Sequence, residues 1–143
     1  MTKISLSPED TFRIGVDLGR EAKEGSVLLL SGDLGTGKTV LARGVAEGLG
    51  IREWNGSPTF TILQVYEDGR LPLYHFDVYR IEEPEEMDEV GFFDYLYGDG
   101  VVLLEWPERV EELLKGDFLE IRIEKNVEKG FDYREIHINH KTI

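Results

Sequence analysis

The residues Gly32-Asp33-Leu34-Gly35-Thr36-Gly37-Lys38-Thr39 have the spacing G-x-x-x-x-G-K-[ST], that of a Walker A phosphate loop. Its glycines let the chain curl until successive amides point into one concavity. That concavity, with the positive end of a following helix, attracts phosphate oxygens. Asp33, Leu34, Gly35, Thr36 and Gly37 would then wrap the phosphates, Lys38 would reach the β- and γ-phosphates, and the Thr39 hydroxyl would ligate Mg²⁺. A site of this kind also needs an acid at the metal. Val101-Val-Leu-Leu-Glu105 is an apolar run that ends in one, so Glu105 is expected to meet Mg²⁺ directly or through water. Glu108, beyond the turn, is the weaker candidate.

Two more positions could take part. Thr59, in Ser57-Pro58-Thr59, follows the loop's helix, where GTPase-type folds carry a first switch threonine that senses the γ-phosphate and Mg²⁺. From position alone it could equally begin a strand. His75, Asp77 and Tyr79 alternate onto one face of an extended run. An acid there, near a phosphate loop, suggests a Mg²⁺ or water contact, although alone the pattern reads as the solvated face of an antiparallel edge. Trp106 either packs in the core or walls the nucleotide. His137 and His140 are not read as metal ligands, because no third ligand sits at suitable spacing.

The elements that must position these residues are legible in outline. Ser26–Ser31 is a short apolar run, hence a buried strand. Leu41, Ala42, Val45 and Leu49 recur at helical spacing before Gly50, a C′ glycine. Upstream, Ile4 and Leu6 suggest a strand. Ser7 caps a helix that starts with Pro8 and reaches about Lys23, with Phe12, Val16 and Gly19 on its apolar face. Downstream, Phe60–Glu67 and Leu71–Arg80 read as a hairpin turned at Asp68-Gly69. Met87–Leu96 reads as a helix with Val90, Phe93 and Leu96 or Tyr97 inward, and Pro107–Leu114 as a short amphipathic one. Phe118–Ile123 and Arg134–Ile138 alternate as a closing hairpin with one wet face. The reading is an α/β fold, one P-loop domain over residues 1–143.

Composition narrows the partners. With 16 Lys and Arg against 29 Asp and Glu, the net charge of −13 repels a phosphate backbone, so the chain should not hold RNA or DNA alone. Six of the acids fall in the eight residues from Glu82 to Glu89, which could face a basic partner protein, although solubility is the plainer reading of the acidity. The absence of cysteine fits a reducing cytoplasm. No signal-like stretch or membrane-length apolar run is expected to direct the chain to a membrane. No Asn-Lys-x-Asp motif for guanine is present, which argues against a GTPase.

Taken together, Gly-Asp-Leu-Gly-Thr-Gly-Lys-Thr (32–39), Ser-Pro-Thr-Phe (57–60), Tyr-His-Phe-Asp-Val-Tyr-Arg (74–80) and Glu-Trp-Pro (105–107) resemble the TsaE family, formerly YjeE, over nearly the whole chain. The first motif is generic; the other three are specific. The resemblance implies a small P-loop α/β domain with a mixed central sheet, antiparallel hairpins and flanking helices. It implies an ATPase of the bacterial machinery that makes threonylcarbamoyladenosine in tRNA, beside the anticodon, working with the TsaD and TsaB proteins that hold the transfer chemistry. By it, Lys38 and Thr39 bind phosphate and Mg²⁺, Glu105 is the acid at the metal, and Thr59 and Asp77 lie in two switch-like segments. Ser7 and Thr11 match the stretch that borders adenine, with Arg134 on the same side. tRNA would be reached only through the complex.

The leading expectation is a Mg²⁺-dependent ATPase, slow alone and accelerated by its partners, with Lys38 facing solvent before nucleotide binds. The alternatives are a small-molecule kinase on the same fold, disfavoured for anionic acceptors by the acidic segment 82–89, and a non-catalytic switch that binds ATP only to assemble a complex.

Overall fold

Residues 1–143 are described by a computed structural model. The phosphate-loop strand lies near the middle of one seven-stranded sheet. Its strands are β1 (Thr2–Ser5), β2 (Val27–Ser31), β3 (Leu63–Tyr66), β4 (Leu73–Asp77), β5 (Val101–Glu105), β6 (Asp117–Lys125) and β7 (Arg134–Thr142), in the order β1-β7-β6-β2-β5-β4-β3. The four central strands, β6, β2, β5 and β4, run parallel, and β1, β7 and β3 pair antiparallel outside them. The sheet is thus mixed, as expected. Val101–Val102–Leu103–Leu104–Glu105 is buried along its whole length, because both faces of a central parallel strand are covered.

Two helices cover one face: α1 (Pro8–Glu21) and α2 (Lys38–Gly48). Ser7 caps α1 as expected, its hydroxyl accepting from the Asp10 amide at 3.1 Å. The buried face of α1 is Thr11, Ile14, Gly15, Leu18 and Gly19; of the expected face Gly19 is buried, while Phe12 and Val16 are only half-buried. The reason is the crossing with α2. A Cβ on Gly15 would stand 2.3 Å from the Leu41 carbonyl oxygen, and one on Gly44 would stand 2.2 Å from that of Phe12. Gly19 and Gly48 repeat the contact one turn on, so the two backbones touch. Arg70 ties down the end of α1 from the β3–β4 connection, donating to the carbonyls of Gly19, Arg20 and Ala22 at 2.7–2.9 Å.

The other face is covered by irregular elements. The expected helix over Met87–Leu96 is divided: a 3₁₀ stretch, Pro84–Val90, ends at Gly91 with φ 71°, and α3 (Phe92–Leu96) begins there. That break turns Phe92 inward and leaves Phe93 partly exposed, reversing the expectation for Phe93. Met87, Phe92 and Leu96 pack with Phe76, Val102 and Leu104 beneath. Pro107–Leu113 is a 3₁₀ stretch as well. The hairpin before it is shorter than expected, and β4 is no edge: it lies between β3 and β5.

Ala is a better helix former than Gly by about 1 kcal/mol, so Gly44→Ala would stabilise an isolated α2. Overpacking against Phe12 opposes this and typically costs about 1–3 kcal/mol. Urea unfolding of Gly44→Ala should therefore give a net loss of stability, and a gain would mean the helices separate freely.

Candidate nucleotide-binding site

The turn from β2 into α2 is built from backbone conformations that side chains resist. Gly32, Gly35 and Gly37 have φ of 150°, 77° and 109°, and a Cβ on Gly32 would meet the Ile123 carbonyl oxygen at 2.8 Å. Thr36 pins the curl, its hydroxyl donating to the Asp33 carbonyl at 2.8 Å. Gly37 precedes α2 with no side-chain cap, and no acid lies in the first turn. The first amides of α2 are thus left for an outside acceptor, at the positive end of the helix.

The cleft beside this turn has a volume of about 360 Å³. Leu34, Gly35, Gly37, Lys38 and Thr39 line one wall; Thr59, Asp77, Glu105 and Trp106 line the other, with Ser57 and Tyr79. The parallel register sets Asp77 directly beside Glu105 at the carboxyl ends of β4 and β5. Both carboxylates are buried, 5% and 2% exposed. The reading of His75–Tyr79 as the solvated face of an edge therefore fails for His75 and Asp77, which are buried on an internal strand, while Tyr79 beyond it is 37% exposed.

Lys38 also departs from expectation. It is 7% exposed; its ammonium donates to the Gly32 carbonyl and stands 3.6 Å from the centre of the Trp106 ring. Burial holds its pKa below the ordinary lysine value, against the opposing pull of Glu105, Glu108, Asp77 and Asp33. Trp106 (φ 63°) walls the cleft and packs against Tyr79, ring centres 4.7 Å apart and planes tilted by 47°.

Thr59 does not begin a strand; it lies in a turn before β3, and its hydroxyl donates to Asp77 at 3.3 Å. Burial raises the Asp77 pKa, the Tyr79 amide lowers it, neighbouring Glu105 raises it, and Thr59 and His75 oppose. Thr39 and Ser57 hydroxyls stand 3.4 Å apart in the same cleft. Two hydroxyls and two adjacent buried carboxylates are a hard-oxygen donor set, which suits Mg²⁺.

On the far side of the turn, Ser7, Thr11, Thr36, Gly37 and Arg134 surround a smaller cavity of about 50 Å³. Arg134 reaches it from β7 and donates to the Thr36 carbonyl at 2.8 Å. Asp33 lies outside both cavities, with only its carbonyl engaged. Arg43 faces away, over the Phe12 ring at 4.7 Å. The β6–β7 register also brings Glu124, Glu135 and His137 within 4.8 Å of one another, a grouping that linear spacing did not disclose.

Sequence reasoning placed His75 on the face of Asp77 but missed its partner. His75 and Glu105 meet at 2.6 Å, thirty positions apart, fully inside the protein. Only the β4–β5 register reveals it.

A sequence profile described as "Threonylcarbamoyl adenosine biosynthesis protein TsaE" matches residues 5–136. The chain is 48% identical over 132 residues to the tRNA threonylcarbamoyladenosine biosynthesis protein TsaE of Bacillus subtilis, spanning 92% of this chain and 80% of that protein. It is 50% identical over 110 residues to the Treponema pallidum protein of the same name, spanning 77% and 81%. It superimposes on the crystal structure of Bacillus subtilis YdiB with a TM-score of 0.83 at 41% identity, over 99% of this chain and 85% of that one.

The raised Asp77 pKa makes a stability prediction. An acid whose pKa is higher folded than unfolded contributes stability that is full below its unfolded value and lost as pH rises through the folded one. Without nucleotide or Mg²⁺, Asp77→Asn should therefore gain in thermal midpoint relative to wild type as pH rises from about 4 to about 8. A gap that shrinks over that range would mean the Asp77 charge is stabilised where it lies.

Proposed function

We propose that this chain, which belongs to the TsaE family, binds and hydrolyses ATP with Mg²⁺ and so drives the cycle of the TsaD–TsaB complex. Its role in tRNA threonylcarbamoyladenosine biosynthesis follows from that membership. The observation that carries the ATPase reading is the meeting, in one cleft, of an uncapped helix start and Lys38 with the buried carboxylates of Asp77 and Glu105.

In this reading the amides that begin α2 and the Lys38 ammonium bind the phosphates. Thr39 and Glu105 hold Mg²⁺, which would offset charge on the β- and γ-phosphate oxygens. Thr59 and Asp77 couple the two switch-like segments to the site. Trp106 walls the nucleotide, and Ser7, Thr11 and Arg134 border the base. The net charge of −13 supports contact with tRNA only through the partner proteins. No helix is long and apolar enough to cross a membrane, and the lack of cysteine fits the cytoplasm.

Phosphoryl transfer rests on positioning and on positive charge against the transition state, and an arginine there is worth ~10³–10⁵ in rate. Neither Arg43 nor Arg80 is in place: Arg43 faces away, and Arg80 is exposed and lies over the Phe60 ring at 4.4 Å. Catalysis completed by a partner is the consequence.

Two outcomes test the reading. Lys38→Ala should lower hydrolysis at least ~100-fold, or ~2.7 kcal/mol. The rate is taken per folded molecule by circular dichroism, because Lys38 is desolvated. Near-normal turnover would remove Lys38 from the mechanism. Steady-state phosphate release should also rise on adding the TsaD–TsaB complex. If the free protein already runs at the full rate, partner-completed catalysis fails; if Arg80→Ala keeps all the stimulation, the activating charge comes from the partner.

A further inference from the structure

His75 is wholly buried. Its Nε2 lies 2.6 Å from Glu105 Oε2. An ionised carboxylate only accepts, so Nε2 carries the proton and donates. Nδ1 has no partner, and neither does the indole N–H of Trp54, whose ring stacks on the imidazole with centroids 6.2 Å apart and planes 15° from parallel. The imidazole is therefore oriented by a ring on its face and by one hydrogen bond, and that bond goes to the one carboxylate that ends β5.

The geometry points to His75 as a positioning residue for Glu105. Its Nε2–H engages one carboxylate oxygen and fixes the side chain, so that the other oxygen is presented to the cleft that Thr39 lines. A carboxylate free to rotate between two buried neighbours would meet a cation in several orientations, and partners that orient a ligating group typically contribute 10–100-fold in metal affinity. Trp54 extends the arrangement to the segment between α2 and β3 that carries Ser57 and Thr59.

This inference rests on the reading of Glu105 as the acid at the metal. The test is Mn²⁺ affinity, by electron paramagnetic resonance, of the protein loaded with a non-hydrolysable ATP analogue, beside affinity for the analogue without metal and a thermal unfolding curve. Glutamine can place its amide N–H where Nε2 stands; asparagine reaches only as far as Nδ1. His75→Gln should bind Mn²⁺ within about threefold of wild type. His75→Asn should lose about 10–100-fold, with metal-free analogue binding unchanged. In a Glu105→Gln background the difference between the two should vanish. Equal losses in both variants, no loss in either, or a difference that survives in that background would overturn the positioning role. If His75→Asn does not fold, His75→Ala takes its place beside His75→Gln: a loss of about 10–100-fold in the alanine variant supports the role and affinity within threefold overturns it. Wild type binding Mn²⁺ no better than Glu105→Gln would fail the metal reading itself, and this role with it.

Discussion

Buried charge at the carboxyl ends of the parallel strands is the constraint on which the rest of the structure depends. Lys38, Asp77 and Glu105 are each less than a tenth exposed, and burial opposes the charge on Lys38 and Asp77 alike. Removing an ion from water is costly unless opposite charge and hydrogen bonds replace the solvent. The replacements are specific: the Gly32 carbonyl and the Trp106 ring for Lys38, the Tyr79 amide and Thr59 hydroxyl for Asp77, and His75 for Glu105. Two acids against one buried ammonium leave an excess of negative charge, and an incoming cation would meet that excess in a region of low dielectric.

Holding such a cluster requires rigid supports. The parallel pairing of β4 with β5 fixes the two carboxylates side by side, and the pairing of β5 with β2 fixes both against the phosphate loop. The glycine contacts between α1 and α2 do the same for the loop's other end. They let α2 lie directly on α1, and they bring the start of α1, with Ser7 and Thr11, to the far side of the same turn. Arg134 then stitches β7 to the loop through the Thr36 carbonyl. A residue near each end of the chain therefore shares one short loop with its central helix.

What was legible in the sequence divides along physical lines. Local signals were readable: the Ser7 cap, the glycine loop, Gly50 at the end of α2 with φ 80°, and the apolar run that ends at Glu105. Each is decided by neighbours within a turn or two. Most departures from that reading concern partners distant in sequence. His75 and Asp77 alternate as an exposed edge would, but β5 pairs with that strand and Trp54 stacks over His75. Lys38 carries no local sign of burial, because its cover, Trp106, comes from another strand end. Phe93 fitted a regular helix, but Gly91 at φ 71° shifts the inward face by one residue to Phe92. Gly15 and Gly44 carry no periodic hydrophobic signal at all, although they set how closely the helices approach.

The two segments that flank the cleft are held unequally: Val78 and Ile81 of the second are buried in the core, whereas Thr59 and Phe60 of the first are tied to it by side-chain contacts. Thr59 bonds to Asp77 across them, and Arg80 lies on Phe60, which is 81% exposed. An exposed cation–π contact contributes about 0.5–1 kcal/mol, and a hydrogen bond about 0.5–1.5 kcal/mol net. Fixing the backbone of one residue costs about 1–2 kcal/mol. These ties are therefore of the same size as the order they maintain over a residue or two, and the Thr59–Phe60 segment depends on them. The strand ends below them do not, since Asp77 and Glu105 are held by the ladder of a four-stranded parallel core. The charged strand ends thus stay fixed beneath a Thr59–Phe60 segment that is held mainly through side chains.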